Sequence, residues 1–297
     1  STHTPILFFT NTGRVFRQKC YQIPESGRQA RGMAIVNMLR LGEGESIAAT
    51  FALDDADGKY LVMATRKGLI KKTAISEYDN IRVNGLIAMT IREGDELAGV
   101  FITSGEDEII LGTKNGMSIH FSEKDIRPMG RGAMGVRAVR LGEGDEVVDI
   151  QRADKQYVLT ISENGYGKLT DLDEYTMQNR GGKGLKTLNI TKKTGRVAGV
   201  KSVSGDEDIV LIDLNGTLIR FACEQVSKIG RLTQGVKLMR IGEDSSVAAV
   251  AVVPHEDEEA FDETTAQGQD VAPVEETPGE EQETAPAEET PEAPTEE

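Results

Sequence analysis

The chain has 297 residues, 38% of them hydrophobic, with a formal net charge of −15, two cysteines, three histidines and no tryptophan. No apolar run reaches the roughly 18 residues that a membrane-spanning helix needs, and no basic start leads into an apolar, signal-like stretch. Cys20 and Cys223 offer neither a disulfide framework nor a metal-ligand spacing, which excludes a stapled secreted scaffold and points to a soluble protein of a reducing cytoplasm.

The charge is divided unevenly. Residues 255–297 hold 17 of the 49 acidic residues and no Lys or Arg, which leaves residues 1–254 with 34 basic against 32 acidic side chains, a net of +2. The tail, 255–297, is rich in Glu, Thr and Pro, has too few apolar residues to offset the entropy of ordering it, and is expected to be disordered. The chain begins at Ser1 rather than Met and opens on a strand-like run, as a segment of a longer protein would.

Along residues 1–254 three signatures recur in fixed order. The first is a polar turn ending in glycine: Asn11-Thr12-Gly13, Arg66-Lys67-Gly68, Lys114-Asn115-Gly116, Glu163-Asn164-Gly165 and Leu214-Asn215-Gly216, spaced 55, 48, 49 and 51 residues apart. The second is a loop of arginine and glycine. The third is a mostly acidic turn, as in Gly42-Glu43-Gly44-Glu45, Glu93-Gly94-Asp95-Glu96, Gly142-Glu143-Gly144-Asp145 and Gly242-Glu243-Asp244, weaker at Lys193-Thr194-Gly195. Five units follow, about 1–53, 54–103, 104–153, 154–203 and 204–254, and such a period signals a propeller, solenoid or array.

Within a unit the runs are short, rich in β-branched residues and bounded by Gly, Asn and Asp, as at Ile6–Thr10, Val15–Gln18, Ala34–Leu39 and Ile47–Leu53. Asn-Gly and similar pairs supply the positive φ of tight hairpins, so the first signature joins two antiparallel strands. A four-stranded sheet per unit cannot bury both faces alone, and radial packing covers them. The fold predicted is all-β, a propeller-like ring of four-stranded blades. Each cysteine stands seven residues after its turn glycine, where the other units have Ile75, Glu123 and Leu172, and both are expected to be buried.

Catalytic chemistry finds little support. The sequence has no Rossmann fingerprint or phosphate loop, His3, His120 and His255 are isolated, and the acidic pairs recur unit by unit as turn residues do. No catalytic residue, metal site or cofactor is predicted.

The basic residues are different. Arg28, Arg131, Arg180 and Arg231 each stand four residues before a loop glycine, and Arg82 three before Gly85. The richest loop is Gln178-Asn179-Arg180-Gly181-Gly182-Lys183-Gly184. Arg137, Lys186 and Lys237 share the place two residues after the loop glycine, and Arg17, Lys72 and Arg220 the place four after the turn glycine, where the other units have His120 and Leu169. Arg40, Arg140 and Arg240 each precede a Leu-Gly-Glu or Ile-Gly-Glu triplet. Repetition on a propeller makes a ring of charge and not a pocket. Arginine beside glycine suits phosphate, a forked donor held where main-chain N–H groups can also approach. Without aromatic platforms in these loops, duplex backbone contact is expected over single-strand stacking.

Gly13-Arg14-Val15-Phe16, Tyr21-Gln22-Ile23-Pro24-Glu25, Arg31-Gly32, Ile35-Val36-Asn37, Thr103-Ser104-Gly105-Glu106-Asp107-Glu108, Asn164-Gly165-Tyr166-Gly167-Lys168 and the acidic tail together resemble the C-terminal domain of the DNA gyrase A subunit. The resemblance implies a β-pinwheel, a propeller in which neighbouring blades exchange strands, with duplex DNA wrapped on a basic rim to favour negative supercoiling. It adds Arg31 to the DNA-binding set. The family's marker, Gln-Arg-Arg-Gly-Gly-Arg or Lys-Gly, is matched by Gln178, Arg180, Gly181, Gly182, Lys183 and Gly184 but not by Asn179. It stands in the fourth unit instead of the first, so either the main box belongs to a blade upstream of Ser1 or this is a five-bladed variant.

The implied partners are duplex DNA, the rest of the gyrase A subunit and the gyrase B subunit, with no membrane, in a bacterial cytoplasm at the nucleoid. DNA cleavage, ATP and Mg would belong to other domains of an ATP-dependent type IIA topoisomerase. The related C-terminal domain of topoisomerase IV is an alternative within the class. A protein-binding propeller would call for Trp and Tyr hot spots, and a propeller hydrolase for convergent, non-repeating carboxylates.

Overall fold

The computed structural model describes residues 1–27, 30, 32–53, 59–242 and 244–255. Arg28, Arg31, Glu243 and the acidic tail beyond His255 lie outside the described residues. Within them the repeat is built from hairpins. In the first unit β1 (Pro5–Thr10) and β2 (Arg14–Lys19) run antiparallel around Gly13, and β3 (Ile47–Ala52) pairs with the other side of β1. The second unit has β4 (Tyr60–Thr65), β5 (Leu69–Ala74), β6 (Leu86–Ile87) and β7 (Leu97–Thr103). The third has β8 (Glu108–Thr113), β9 (Met117–Ser122), β10 (Val136–Arg137) and β11 (Val147–Arg152). In the fourth are β12 (Tyr157–Ser162), β13 (Tyr166–Asp171), β14 (Leu185–Lys186) and β15 (Val197–Val203). The fifth has β16 (Glu207–Asp213), β17 (Leu218–Ala222), β18 (Val236–Lys237) and β19 (Val247–Pro254).

Sheets and sequence units do not coincide. Each two-residue strand leaves its own unit and pairs with the hairpin before it: β6 on β2, β10 on β5, β14 on β9 and β18 on β13. The result is a five-bladed β-propeller with sheets β3-β1-β2-β6, β7-β4-β5-β10, β11-β8-β9-β14, β15-β12-β13-β18 and β19-β16-β17. Strands β3, β7, β11, β15 and β19 pack in succession against one another and are the inner strands, which leaves the exchanged strands on the outer edge.

Two backbone links repeat at every blade boundary. At the inner end, Leu97, Val147, Val197 and Val247 donate N–H to the carbonyls of Asn11, Arg66, Lys114 and Glu163 at 2.9, 2.8, 3.0 and 2.9 Å. Beside the turn, Ala88, Ala138, Thr187 and Leu238 donate to Gly13, Gly68, Gly116 and Gly165, each at 2.8 Å. The turn glycine is forced by both conformation and contact. Gly165 has φ +77°, and a Cβ there would stand 2.4 Å from the Met239 carbonyl of the next blade.

The core lies between the blades. Leu7, Phe9 and Val15 of the first sheet pack on Leu61, Met63 and Tyr78 of the second, and Val62, Ala64 and Ile70 on Ile109, Leu111 and Phe121 of the third. Further clusters join the third to the fourth blade through Ile110, Val158 and Val200, and the fourth to the fifth through Leu159, Ile161, Ile209 and Leu211. Each such fully buried aliphatic side chain contributes about 1.5–3 kcal/mol.

Three expectations are corrected. Ala34–Leu39 is no strand: Ile35–Asn37 is a 3-10 turn, and Leu39, 2% exposed, covers Phe8 and Phe16 on the outer face of the first sheet. Its counterparts find a preceding hairpin to pair with, whereas the first unit has none before it among the described residues. The fifth sheet has three strands, β19-β16-β17, among the described residues. Cys223 is buried as expected, but Cys20 is only half-buried.

Candidate nucleic-acid interface

Strand exchange puts the arginine loops of the second to fifth units at the periphery, since each of them leads directly into an outermost strand. The loop at 178–184 is held by its own backbone. Gln178 N–H donates to the His120 carbonyl at 2.8 Å, Gly181 N–H to the Ala138 carbonyl at 2.6 Å, and the Gly182 carbonyl accepts from Arg140 N–H at 2.7 Å. Gly184 has φ +77° and passes so close to the third sheet that a Cβ would meet the Ser118 carbonyl at 2.4 Å. A side chain would push the loop off the sheet, which is why glycine precedes the exchanged strand.

Arg180 is half-buried in this loop. Its Nε donates to the Asp125 carbonyl at 3.0 Å and its Nη1 to the Arg137 carbonyl at 2.8 Å. Arg231 repeats the second contact, with Nη1 3.2 Å from the Lys186 carbonyl, and pairs with Glu174 at 3.8 Å. Arg131 pairs with Glu77 at 3.6 Å. Arg82 and Lys183 are exposed and have no side-chain bond among the described residues. The loop arginines are therefore partly committed to the scaffold.

Arg137, Lys186 and Lys237 are exposed at equivalent places on the outer strands of three consecutive sheets. Lys186 Nζ reaches Asn189 Oδ1 at 3.1 Å, and Lys237 lies over the Tyr166 ring at 5.7 Å. These three, with Arg82 and Lys183, are exposed cations in or just after the arginine loops.

The set four residues beyond the turn glycine is less uniform. Arg17 Nη1 donates to the Asp79 carbonyl at 2.9 Å, and Arg220 Nε donates to Asp208 at 2.7 Å. His255 first, and Arg220 with it, hold the Asp208 carboxyl below its usual range. Lys72 does not present its charge: it is 4% exposed, donates to the Glu123 carbonyl at 3.1 Å and lies over the Tyr60 ring. His120 is also buried, between Glu108 and the Tyr175 carbonyl. Sheets covered on both faces turn these positions inward.

The acidic turns are structural. Asp95 Oδ1 accepts from Lys67 and Glu96 N–H at 2.9 and 2.8 Å, and Asp145 Oδ1 accepts from Asn115 and Glu146 N–H at 2.8 and 2.9 Å. Arg66 bridges Glu96 and Glu146 of successive blades, and the hydrogen bond from Lys114 holds the Glu146 carboxyl low. Among the described residues no three His, Cys, Asp or Glu converge to hold a metal ion. No helix among them is long and apolar enough to cross a membrane.

Sequence reasoning missed Lys71 and Lys168, each fully buried beneath an arginine loop, and their neighbours Glu77 and Glu174. The available signal was a lysine followed six residues later by Glu-Tyr, present in the second and fourth units only.

The chain matches the family described as "DNA gyrase C-terminal domain, beta-propeller" over residues 4–54, 59–104, 107–154, 156–204 and 214–254, one segment per sequence unit. It belongs to the gyrase A C-terminal domain family. The DNA gyrase A subunit of Staphylococcus aureus (strain MRSA252) is 43% identical over 276 residues, covering 91% of this chain and 31% of the relative. The protein of strain NCTC 8325 is 43% identical over 279 residues. The chain thus spans about a third of the length of these gyrase proteins. A solved structure described as "Structure of DNA gyrase A C-terminal domain" superposes with a TM-score of 0.75 at 25% identity, over 85% of this chain and 83% of that one. The C-terminal domain of DNA topoisomerase IV gives a TM-score of 0.78 at 24% identity, over 85% and 80% of the two chains, and shares the fold.

Proposed function

We propose that residues 1–254 form the non-catalytic DNA-wrapping domain of a gyrase A protein and that 255–297 is an acidic tail appended to it. The observation that carries this reading is the exposure of Arg137, Lys186 and Lys237 at one place on three successive outer strands, beside the arginine loops. Cations spread along a convex edge meet a duplex backbone at several points. Curving 20–30 base pairs by 40–90° costs on the order of 1–6 kcal/mol, which contacts from several blades together can offset. DNA-binding roles go to Gln178, Arg180, Gly181, Gly182, Lys183, Gly184, Lys186, Arg82, Arg131, Arg137, Arg231 and Lys237, with Arg17 and Arg220 beside them and Arg28 and Arg31 outside the described residues.

In this reading the whole protein is an ATP-dependent type IIA topoisomerase acting in the bacterial cytoplasm. Cleavage, ATP and Mg belong to the remainder of the gyrase A protein and to its gyrase B partner. The test is topological: nicked circular DNA is sealed by ligase with increasing amounts of the chain, deproteinised and resolved by linking number. A dose-dependent shift is expected, and an unchanged distribution would reject wrapping.

A further inference from the structure

Lys71 on β5 and Lys168 on β13 stand three residues after their turn glycines, where the other blades have Phe16, Ile119 and Ile219. Both lysines are fully buried. An apolar side chain fills the same place elsewhere, so packing alone does not call for an ammonium there. The acceptors show what the charge does. Lys71 Nζ donates to the Gly130 and Arg131 carbonyls at 3.1 and 2.6 Å. Lys168 Nζ donates to the Gly230 and Arg231 carbonyls, both at 2.7 Å, and reaches the Thr233 carbonyl and Oγ1 at 3.3 and 3.1 Å. Every acceptor belongs to the arginine loop of the following unit.

A glutamate six residues further on completes each set. Glu77 Oε2 accepts from Arg131 N–H at 3.4 Å and lies 3.6 Å from its Nε; Glu174 Oε2 accepts from Arg231 N–H at 3.2 Å and lies 3.8 Å from its Nε. The peptides on both sides of the loop arginine are thereby gripped, the N–H by the carboxylate and the C=O by the ammonium. The loops at 82–85 and 178–184 rest instead on apolar side chains: a Cβ at Gly85 would meet the Phe16 ring at 2.9 Å, and one at Gly182 would meet Ile119 Cδ1 at 3.6 Å.

We propose that Lys71 with Glu77, and Lys168 with Glu174, are latches that hold the arginine loops of the third and fifth units in the shape that meets the DNA backbone. They are positioning residues for the rim and touch no phosphate themselves. The proposal rests on the wrapping reading. Burial brings both ammonium groups down to about 8, against opposing pulls from Glu77 and Glu174, which raise them, and Arg131 and Arg231, which lower them further. The charge-assisted grip is therefore largely formed at neutral pH and weakens as pH rises through that value.

The test uses the full chain, the Lys71→Met/Lys168→Met variant and the Glu77→Gln/Glu174→Gln variant. Duplex affinity is read against salt at pH 7 and pH 9, and amide exchange is read in loops 130–135 and 230–235. Both variants are expected to exchange at least about tenfold faster in these loops and to bind DNA several-fold more weakly at pH 7. The methionine variant keeps the wild-type salt slope, since no phosphate contact is lost, and it loses the wild-type fall in affinity between pH 7 and 9. Glu→Gln removes negative charge, so electrostatics alone would tighten binding. Tighter binding, or unchanged loop exchange, would overturn the latch. Faster exchange with unaltered affinity would overturn the positioning role alone. A wild-type chain that binds no duplex would reject the wrapping reading and the positioning role together, while the exchange data would still report the latch.

Discussion

The Arg180 guanidinium donates to the carbonyl oxygen of Arg137, 2.8 Å away, and so ties the loop at 178–184 to the strand exchanged onto the second sheet. Nε and Nη1 are engaged by the scaffold, and Nη2 has no hydrogen-bond partner among the described residues. Arg180 and its neighbour Lys183 therefore differ in kind. Lys183→Ala should make the salt dependence of duplex affinity shallower by about 0.9 in log–log slope without moving the melting temperature. Arg180→Ala should weaken binding and also destabilise the fold by about 1 kcal/mol, and Arg180→Lys should not restore it, because an ammonium cannot span both carbonyls. Calorimetry beside salt titrations separates the two; equal melting temperatures would contradict the scaffold role of Arg180.

Gly184 and Gly181 test contact against conformation. Their φ values are similar, +77° and +81°, but a Cβ at Gly184 meets backbone at 2.4 Å while one at Gly181 finds its nearest neighbour at 3.6 Å. Gly181→Ala should cost about 1–2 kcal/mol in urea unfolding, the penalty of a left-handed backbone. Gly184→Ala should cost clearly more and should release the exchanged strand β14, visible as faster exchange at Leu185 and Lys186.

Glu123 is fully buried, and neither carboxylate oxygen has a hydrogen-bond partner. The fourth unit has Leu172 at the same place. Glu123→Leu should stabilise the protein by about 1–3 kcal/mol, since it removes a desolvated group that gains nothing in return. A lower urea midpoint would show that the carboxylate has a use.

The two thiols should separate by reactivity. Burial, with Glu207 adding to it, raises the Cys223 thiol to about 11, so thiolate is scarce at pH 8 and the sulfur is inaccessible. Maleimide at pH 8 is expected to label Cys20 alone in the native chain and both cysteines in urea. Two rapid native labels would place Cys223 at the surface.

Residues 256–297 carry 17 acidic side chains and are covalently joined to a body whose proposed DNA-binding side chains are cationic, so the tail can compete with phosphate for them. Ending the chain at His255 should tighten duplex binding most at low salt, where screening is weakest. Coincident curves for the two lengths at every salt concentration would leave the tail a solubilising role only.

The repeat was legible because the turn glycines at 13, 68, 116 and 165 adopt positive φ, which marks the same place in each unit. The rim loops were legible for the same reason. The exchange was not legible from local pattern, since a two-residue strand such as β10 carries no period and its partner lies a unit away; it came from family resemblance alone. Ile35 and Val36 look like strand residues, yet a strand needs an edge to join. Lys71 and Lys72 are adjacent, so alternation would send one of them to solvent, but both are buried because each sheet is stacked between neighbours.

Each of the second to fifth units hands a two-residue strand back, and each of the first four takes one from ahead, so the join between units is the same wherever it occurs. Duplicating or deleting one unit leaves each remaining joint intact and alters only the number of joints. Repeat count can therefore drift by whole units at little cost to folding, while half a unit cannot be lost without stranding an edge on one side and an unpaired strand on the other.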